Sequence, residues 1–170
     1  MIHIVLYQPE IPQNTGNIIR TCMAINATLH LIKPLGFSLD EKSLKRAGMD
    51  YINDVELEVY ESVEEFYQKN EDADIYYVTR YASRPHSSFD LSKVTKDYYF
   101  MFGKESSGIP HELLRGNKDK LMRIPMSMNA RSLNLSNSVA IVAYEACRQQ
   151  EYYDLSTFEA IKGEDFLESE

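Results

Sequence analysis

Ile2-His3-Ile4-Val5-Leu6-Tyr7-Gln8-Pro9-Glu10-Ile11-Pro12-Gln13-Asn14-Thr15-Gly16-Asn17-Ile18-Ile19-Arg20 begins as a compact apolar run and ends on helical spacing. The run Ile2–Tyr7 reads as a buried strand closed by Pro9 and Pro12. Asn14–Ala27 reads as a helix carrying Ile18, Ile19, Cys22, Met23 and Ile25. The same alternation continues outward. Strands are expected at Thr28–Ile32, Val55–Tyr60, Ile75–Thr79, Tyr98–Phe102 and Leu121–Ile124. Helices are expected at Asp40–Ala47, Ser62–Lys69, Pro110–Arg115 and Asn137–Gln150. Ser62 with Glu65 three residues on has capping-box spacing, and Pro110 stands where a first helical residue would. Strand alternating with helix specifies an α/β fold with a mainly parallel sheet.

The chain has 170 residues, 44% apolar and 26% charged. That is one ordinary domain with enough interior to fold without a disulfide or metal. Cys22 and Cys147 are therefore expected as buried thiols. No apolar run approaches the ~20 residues of a membrane span. The first residues carry no basic segment, so a cytoplasmic location is expected. The net charge is −8, which on its face disfavours an anionic partner. The acid is not evenly spread, however. Residues 54–74 hold nine acids against Lys69, and residues 151–170 hold seven against Lys162. The rest of the chain is net basic, and phosphate binding follows the local potential. The acidic residues 156–170 read as a tail to a domain spanning 1–155.

Several chemistries are excluded by missing motifs. No phosphate-binding G-x-x-x-x-G-K-[ST], dinucleotide G-x-G-x-x-G or nucleophile elbow G-x-S-x-G is present. His3, His30, His86 and His111 are scattered, and no metal site is expected.

Three polar clusters stand where a parallel sheet meets its helices, the edge at which such sheets bind ligands. The first is Asn14–Arg20. Helix capping would account for Asn14 and Thr15, but not for Arg20, whose guanidinium fork suits phosphate and sugar oxygens. The second is Phe102-Gly103-Lys104-Glu105-Ser106-Ser107-Gly108-Ile109-Pro110. Gly103 removes a side chain where a ligand could lie against the backbone, Gly108 permits a left-handed turn, and Glu105 is a carboxylate candidate between them. The third runs from Ile124 to Ser138, with three asparagines and four serines before an apolar helix, more polar groups than a cap needs.

In this order and spacing the three clusters resemble the motifs of SPOUT methyltransferases of the TrmH type, over nearly the whole chain. Leu6–Asn17 and Arg131-Ser132-Leu133-Asn134-Leu135-Ser136-Asn137 are most similar to the family's single-domain members. The resemblance implies a parallel sheet flanked by helices with a C-terminal deep trefoil knot. It implies S-adenosylmethionine held by Val78, Gly103, Ile124, Met126 and Ser132. The implied reaction is 2'-O-methylation of the wobble nucleotide, cytidine or modified uridine, of leucine tRNAs, with Arg20, Asn17, Glu105, Ser132 and Asn134 at the reacting centre. It also implies a homodimer, with Ile18, Ile19 and the Asn137–Gln150 helix toward the partner. Candidate tRNA contacts are Lys45, Arg46, Arg80, Arg84, Lys104, Arg115 and Arg131. Methylation of another RNA such as rRNA, a non-catalytic RNA-binding module and a small-molecule enzyme are the competing readings.

Overall fold

A computed structural model describes residues 1–169. Six parallel strands, β1 (Ile2–Tyr7), β2 (Thr28–Ile32), β3 (Leu57–Tyr60), β4 (Ile75–Val78), β5 (Tyr98–Phe102) and β6 (Leu121–Met122), form one sheet in the order β3-β2-β1-β5-β4-β6. Helices α1 (Pro12–Ala24), α2 (Glu41–Arg46), α3 (Val63–Lys69), α4 (His111–Arg115) and α5 (Leu135–Gln149) surround it. β1, β2 and β5 have the expected bounds.

The two faces of the sheet follow from the alternation of β1. Ile2, Ile4 and Leu6 point into the larger core, where α1 contributes Ile18, Ile19 and Cys22, and α5 contributes Val139, Val142, Ala143, Ala146 and Cys147. Val5 points the other way, into a smaller core with Ile32, Phe66, Tyr77, Met101 and Leu114. Ile18 and Ile19 are fully buried inside their own chain. The expectation that they face a partner is thereby overturned: helical spacing marks an apolar face but does not say whether sheet or second subunit covers it. Cys22 and Cys147 are free and buried, as expected.

Helix starts moved where a side chain had other work. Asp40 caps α2 by accepting from the Ser43 N–H at 2.9 Å. Ser62 caps α3 by accepting from the Glu65 N–H at 3.1 Å, while the Glu65 carboxylate reaches back to the Glu61 N–H, one residue beyond the usual capping-box donor. Pro110 caps α4 instead of opening it. α1 begins at Pro12, ahead of the expected Asn14, with no side-chain cap. α5 begins two residues before the expected Asn137, because the Asn134 side chain accepts from the N–H groups of Ser136 and Asn137.

Behind the smaller core lies a buried polar chain. The His3 and His30 rings meet at 2.9 Å, and His30 meets the Tyr60 hydroxyl at 2.8 Å. Burial holds both imidazoles below their ordinary range, His30 to about 3. The unfolded chain takes up these protons near pH 6.5 and the native state does not, so stability is full above that pH and is lost as pH falls toward 3. Urea unfolding is expected to show a lower midpoint at pH 5 than at pH 7.5, at about 1.4 kcal/mol per pH unit for each proton. His30→Gln should flatten that slope; an unchanged slope would show that His30 is not its source.

Candidate active site

The sheet order reverses between β1 and β5. Chain-sequential strands run outward from β1 through β2 to β3, and the later strands lie on the other side. Loops leaving two such strands diverge, which opens a crevice beyond their carboxyl ends. Here the loops are Gln8–Ile11 after β1 and Gly103–Gly108 after β5.

The two loops clasp each other. Glu105 accepts from the backbone N–H of Glu10 at 2.8 Å and of Ile11 at 3.1 Å. Glu10 in turn accepts from the Ser106 N–H at 3.0 Å and hydroxyl at 2.7 Å. The Asn14 amide donates to Glu105 at 3.3 Å, and its carbonyl oxygen accepts from Asn134 at 3.0 Å. All three sequence clusters therefore meet in one chain of hydrogen bonds, Glu105–Asn14–Asn134. Charge-assisted bonds of this kind are the stronger ones. Asn14 is a buried bridge inside α1, not the cap that the sequence suggested.

Strand register brings the rest of the site together. Leu6 pairs with Phe102, Phe102 with Val78, and Val78 with Met122. The residues just beyond these, Gly103, Thr79 and Arg123-Ile124, consequently stand at one level. They line a cavity of about 510 Å³ together with Met126, Arg131, Ser132, Leu133 and Asn134, a size typical of small-molecule sites. Every expected cofactor residue, Val78, Gly103, Ile124, Met126 and Ser132, lies on this lining, as do Glu105 and Asn134. The backbone N–H groups of Ile124 and Met126 donate to no protein acceptor among the described residues. An apolar wall with free backbone donors suits a nucleoside.

Asn17 and Arg20 are not on the lining. Both are exposed on α1, and the Arg20 guanidinium lies 5.3 Å from the Tyr51 ring centroid. Arg20 is six residues past Asn14, about 9 Å along the helix axis at 1.5 Å per residue. Gly103 plays a different part from the one expected. A Cβ there would stand 2.2 Å from the Gly108 carbonyl carbon and 2.3 Å from the Ile109 nitrogen. Its missing side chain makes room for its own loop, which Gly108 turns at a φ of +73°, and not for a ligand. Arg123 escaped the sequence reading. Its place next to an apolar strand end was the available signal. Its side chain donates to the Arg80 carbonyl, and its backbone bonds to Arg84 and His86. Of the basic candidates, Arg80, Lys104 and Arg131 line the cavity, whereas Lys45, Arg46, Arg84 and Arg115 do not. Among the described residues no cluster of His, Cys, Asp and Glu could hold a metal ion, and no helix is long and apolar enough to cross a membrane.

A nucleoside-sized cavity at the switch point of a parallel sheet, walled by the segment after its last strand, is the place where enzymes of this fold class hold small molecules. The chain belongs to the SpoU methylase family: the family described as SpoU rRNA Methylase matches residues 1–144. A solved Bacillus anthracis structure superposes with a TM-score of 0.88 at 56% identity, covering 92% of this chain and 98% of that one. Another solved structure, described as giving insight into 2-OH methylation of C/U34 on tRNA, superposes with a TM-score of 0.80 at 40% identity, covering 89% and 97%. A Methylovorus glucosotrophus relative, 44% identical over 153 residues with 89% of this chain and 97% of its own covered, is named tRNA (cytidine(34)-2'-O)-methyltransferase.

Gly103→Ala would force a side chain into the Gly108–Ile109 backbone. It is expected to destabilise the fold by roughly 1–3 kcal/mol, as overpacking does, and to weaken nucleoside binding in the cavity. Urea titration and calorimetry with S-adenosylhomocysteine check this. Wild-type values in both would mean that the loop opens freely.

Proposed function

We propose that this chain transfers a methyl group from S-adenosylmethionine to the ribose 2'-hydroxyl of the tRNA wobble nucleotide, cytidine or modified uridine, in leucine isoacceptors. One observation carries the reading: the register-aligned cavity between Val78, Gly103 and Ile124 adjoins the Glu105–Asn14–Asn134 chain, in a member of the SpoU methylase family. The named relative supports the position and the sugar. The likeness of Leu6–Asn17 and Arg131–Asn137 to the family's single-domain members supports the leucine isoacceptors and a cytoplasmic location.

When bound, S-adenosylmethionine supplies a methyl carbon already activated by a neighbouring sulfonium charge. The work left to the chain is positioning, which can offset roughly 7–11 kcal/mol of barrier. Val78, Gly103, Ile124 and Met126 would hold the adenosine by apolar contact and free backbone N–H groups. Ser132 and Asn134, on the polar wall, would orient the ribose. Glu105 does not face the chemistry as a base in this reading; its oxygens are committed to the Glu10 and Ile11 amides and to Asn14, and it holds the wall in place. The Arg20 fork would stabilise negative charge developing on the 2'-oxygen as its proton passes to solvent water, with Asn17 one turn ahead of it orienting the sugar.

Because Asn17 and Arg20 are exposed and off the cavity of their own chain, the active form is a homodimer in which the outer side of α1 completes the partner's site. Exposed Ile141 and Tyr144 on α5 are the apolar surface this contact would cover. The family's trefoil knot is part of the same proposal. In support, residue 123 is tied on both sides to the loop carrying Arg84 and His86, and Gln149 and Gln150 are tied to the Phe89 and Leu91 carbonyls. Residues 1–155 form the catalytic domain and 156–170 an acidic tail; Leu155 still packs on the core.

Labelled S-adenosylmethionine and total RNA, followed by mass mapping, test the function. The expected product is a 2'-O-methyl ribose at the wobble position of leucine tRNAs. Label confined to ribosomal RNA, or carried on a base, overturns the proposal. Arg20→Lys keeps the charge and loses the fork. It should lower kcat about 100-fold or more with unchanged cofactor affinity, and a wild-type rate would leave Arg20 without a catalytic task.

A further inference from the structure

The mouth of the cavity carries an aromatic ring that stands mostly in water. Tyr81 lines the cavity, yet it is 62% exposed. Its hydroxyl makes no hydrogen bond among the described residues. The Arg80 guanidinium lies 5.7 Å from its ring centroid, and the exposed His111 ring packs edge-to-face against it at 5.2 Å and 78°. The backbone beneath it is held in a fixed turn. Tyr81 donates its N–H to the Thr79 hydroxyl at 3.2 Å, Ala82 donates to the Thr79 carbonyl at 3.3 Å, and Arg123 holds the Arg80 carbonyl. Ala82 is buried just behind it. A rigid turn thus pushes a large amphipathic ring into water with one guanidinium, that of Arg80, beside it.

We propose that Tyr81 is a stacking platform for an unpaired RNA base at the cavity mouth, with Arg80 meeting a phosphate next to that base. The inference rests on the RNA-methylation reading above and adds a specific contact to it. Single-stranded RNA is recognised by this combination: bases stack on aromatic faces while guanidinium groups follow the backbone. The cofactor is the other candidate for the ring, and the observations favour RNA. Bound small molecules are mostly enclosed, and the enclosed part of the cavity is at Val78, Gly103 and Ile124, whereas Tyr81 is on the open rim. A cation beside an exposed ring, Arg80 against Tyr81, also fits a polymer that carries a phosphate at each step.

The test compares wild type with Tyr81→Leu, Tyr81→Phe and Arg80→Gln. The measurements are tRNA affinity across a salt series, KM and kcat for methylation of tRNA, and S-adenosylhomocysteine affinity by calorimetry. Losing one stacked base is expected to weaken tRNA binding about tenfold or more in Tyr81→Leu, with KM rising in parallel. Its kcat, cofactor affinity and salt slope should remain close to wild type, because stacking releases no counterion. Tyr81→Phe should retain most of the affinity, since the ring and not the hydroxyl acts. Arg80→Gln should instead reduce the salt slope by about one phosphate's worth. Wild-type tRNA affinity in Tyr81→Leu overturns the inference and leaves the methylation reading standing. Weakened cofactor binding with unchanged tRNA affinity also overturns it, by assigning the ring to the cofactor. A wild-type protein that neither binds nor methylates tRNA overturns both.

Discussion

Glu105 reaches across a gap that the sheet itself creates. Where strand order reverses, the loops beyond β1 and β5 have no ladder to join them, and a crevice opens by default. The carboxylate closes its base by taking two backbone N–H groups from the other loop, and Glu10 returns the bond to Ser106. Asn14 relays this tie to Asn134, which also caps α5. One half-buried carboxylate thus sets the relation among three loops and the start of two helices. Losing this carboxylate would cost more than one bond, because the half-buried Glu10 amide is left without its acceptor.

Parallel register does the rest. Since Leu6, Phe102, Val78 and Met122 stand side by side, whatever follows them in the chain is delivered to the same height. Residues 24, 44 and 96 positions apart in sequence become neighbours at one edge of the sheet without any contact having to search for its partner. The charge is arranged with the same economy. The acids of residues 54–74 lie around β3, the edge strand farthest from β4 and β6, on α3, and at the amino end of β4, whereas the cavity is at the carboxyl ends of the strands. Arg80, Lys104, Arg123 and Arg131 gather at the cavity. A net charge of −8 is therefore compatible with a basic mouth, because screening limits each region's influence to about a Debye length.

Reading the chain alone misassigned side chains in a consistent direction: it gave local jobs to residues with distant ones. Asn14 looked like a cap and is a bridge to Glu105 and Asn134. Gly103 looked like ligand clearance and is clearance for Gly108 and Ile109. Ile18 and Ile19 looked available to a partner and are sealed under the sheet. Each error came from spacing within one segment being asked a question that depends on what lies across the fold.

The alternation of apolar runs with amphipathic stretches determined the α/β class and nearly every element, because a period of two or of 3.6 is a local property that burial must satisfy. The three polar clusters were legible for a related reason: amides, hydroxyls and a lone arginine between apolar residues cost free energy unless something answers them. The order of strands was not legible. Nothing in Ile2–Tyr7 says that its neighbours are Thr28–Ile32 and Tyr98–Phe102, since any apolar strand offers the same amides and carbonyls. That choice, made by packing of the whole chain, decided that Glu105 meets Glu10, that Val78 meets Met122, and that Arg20 is left facing outward.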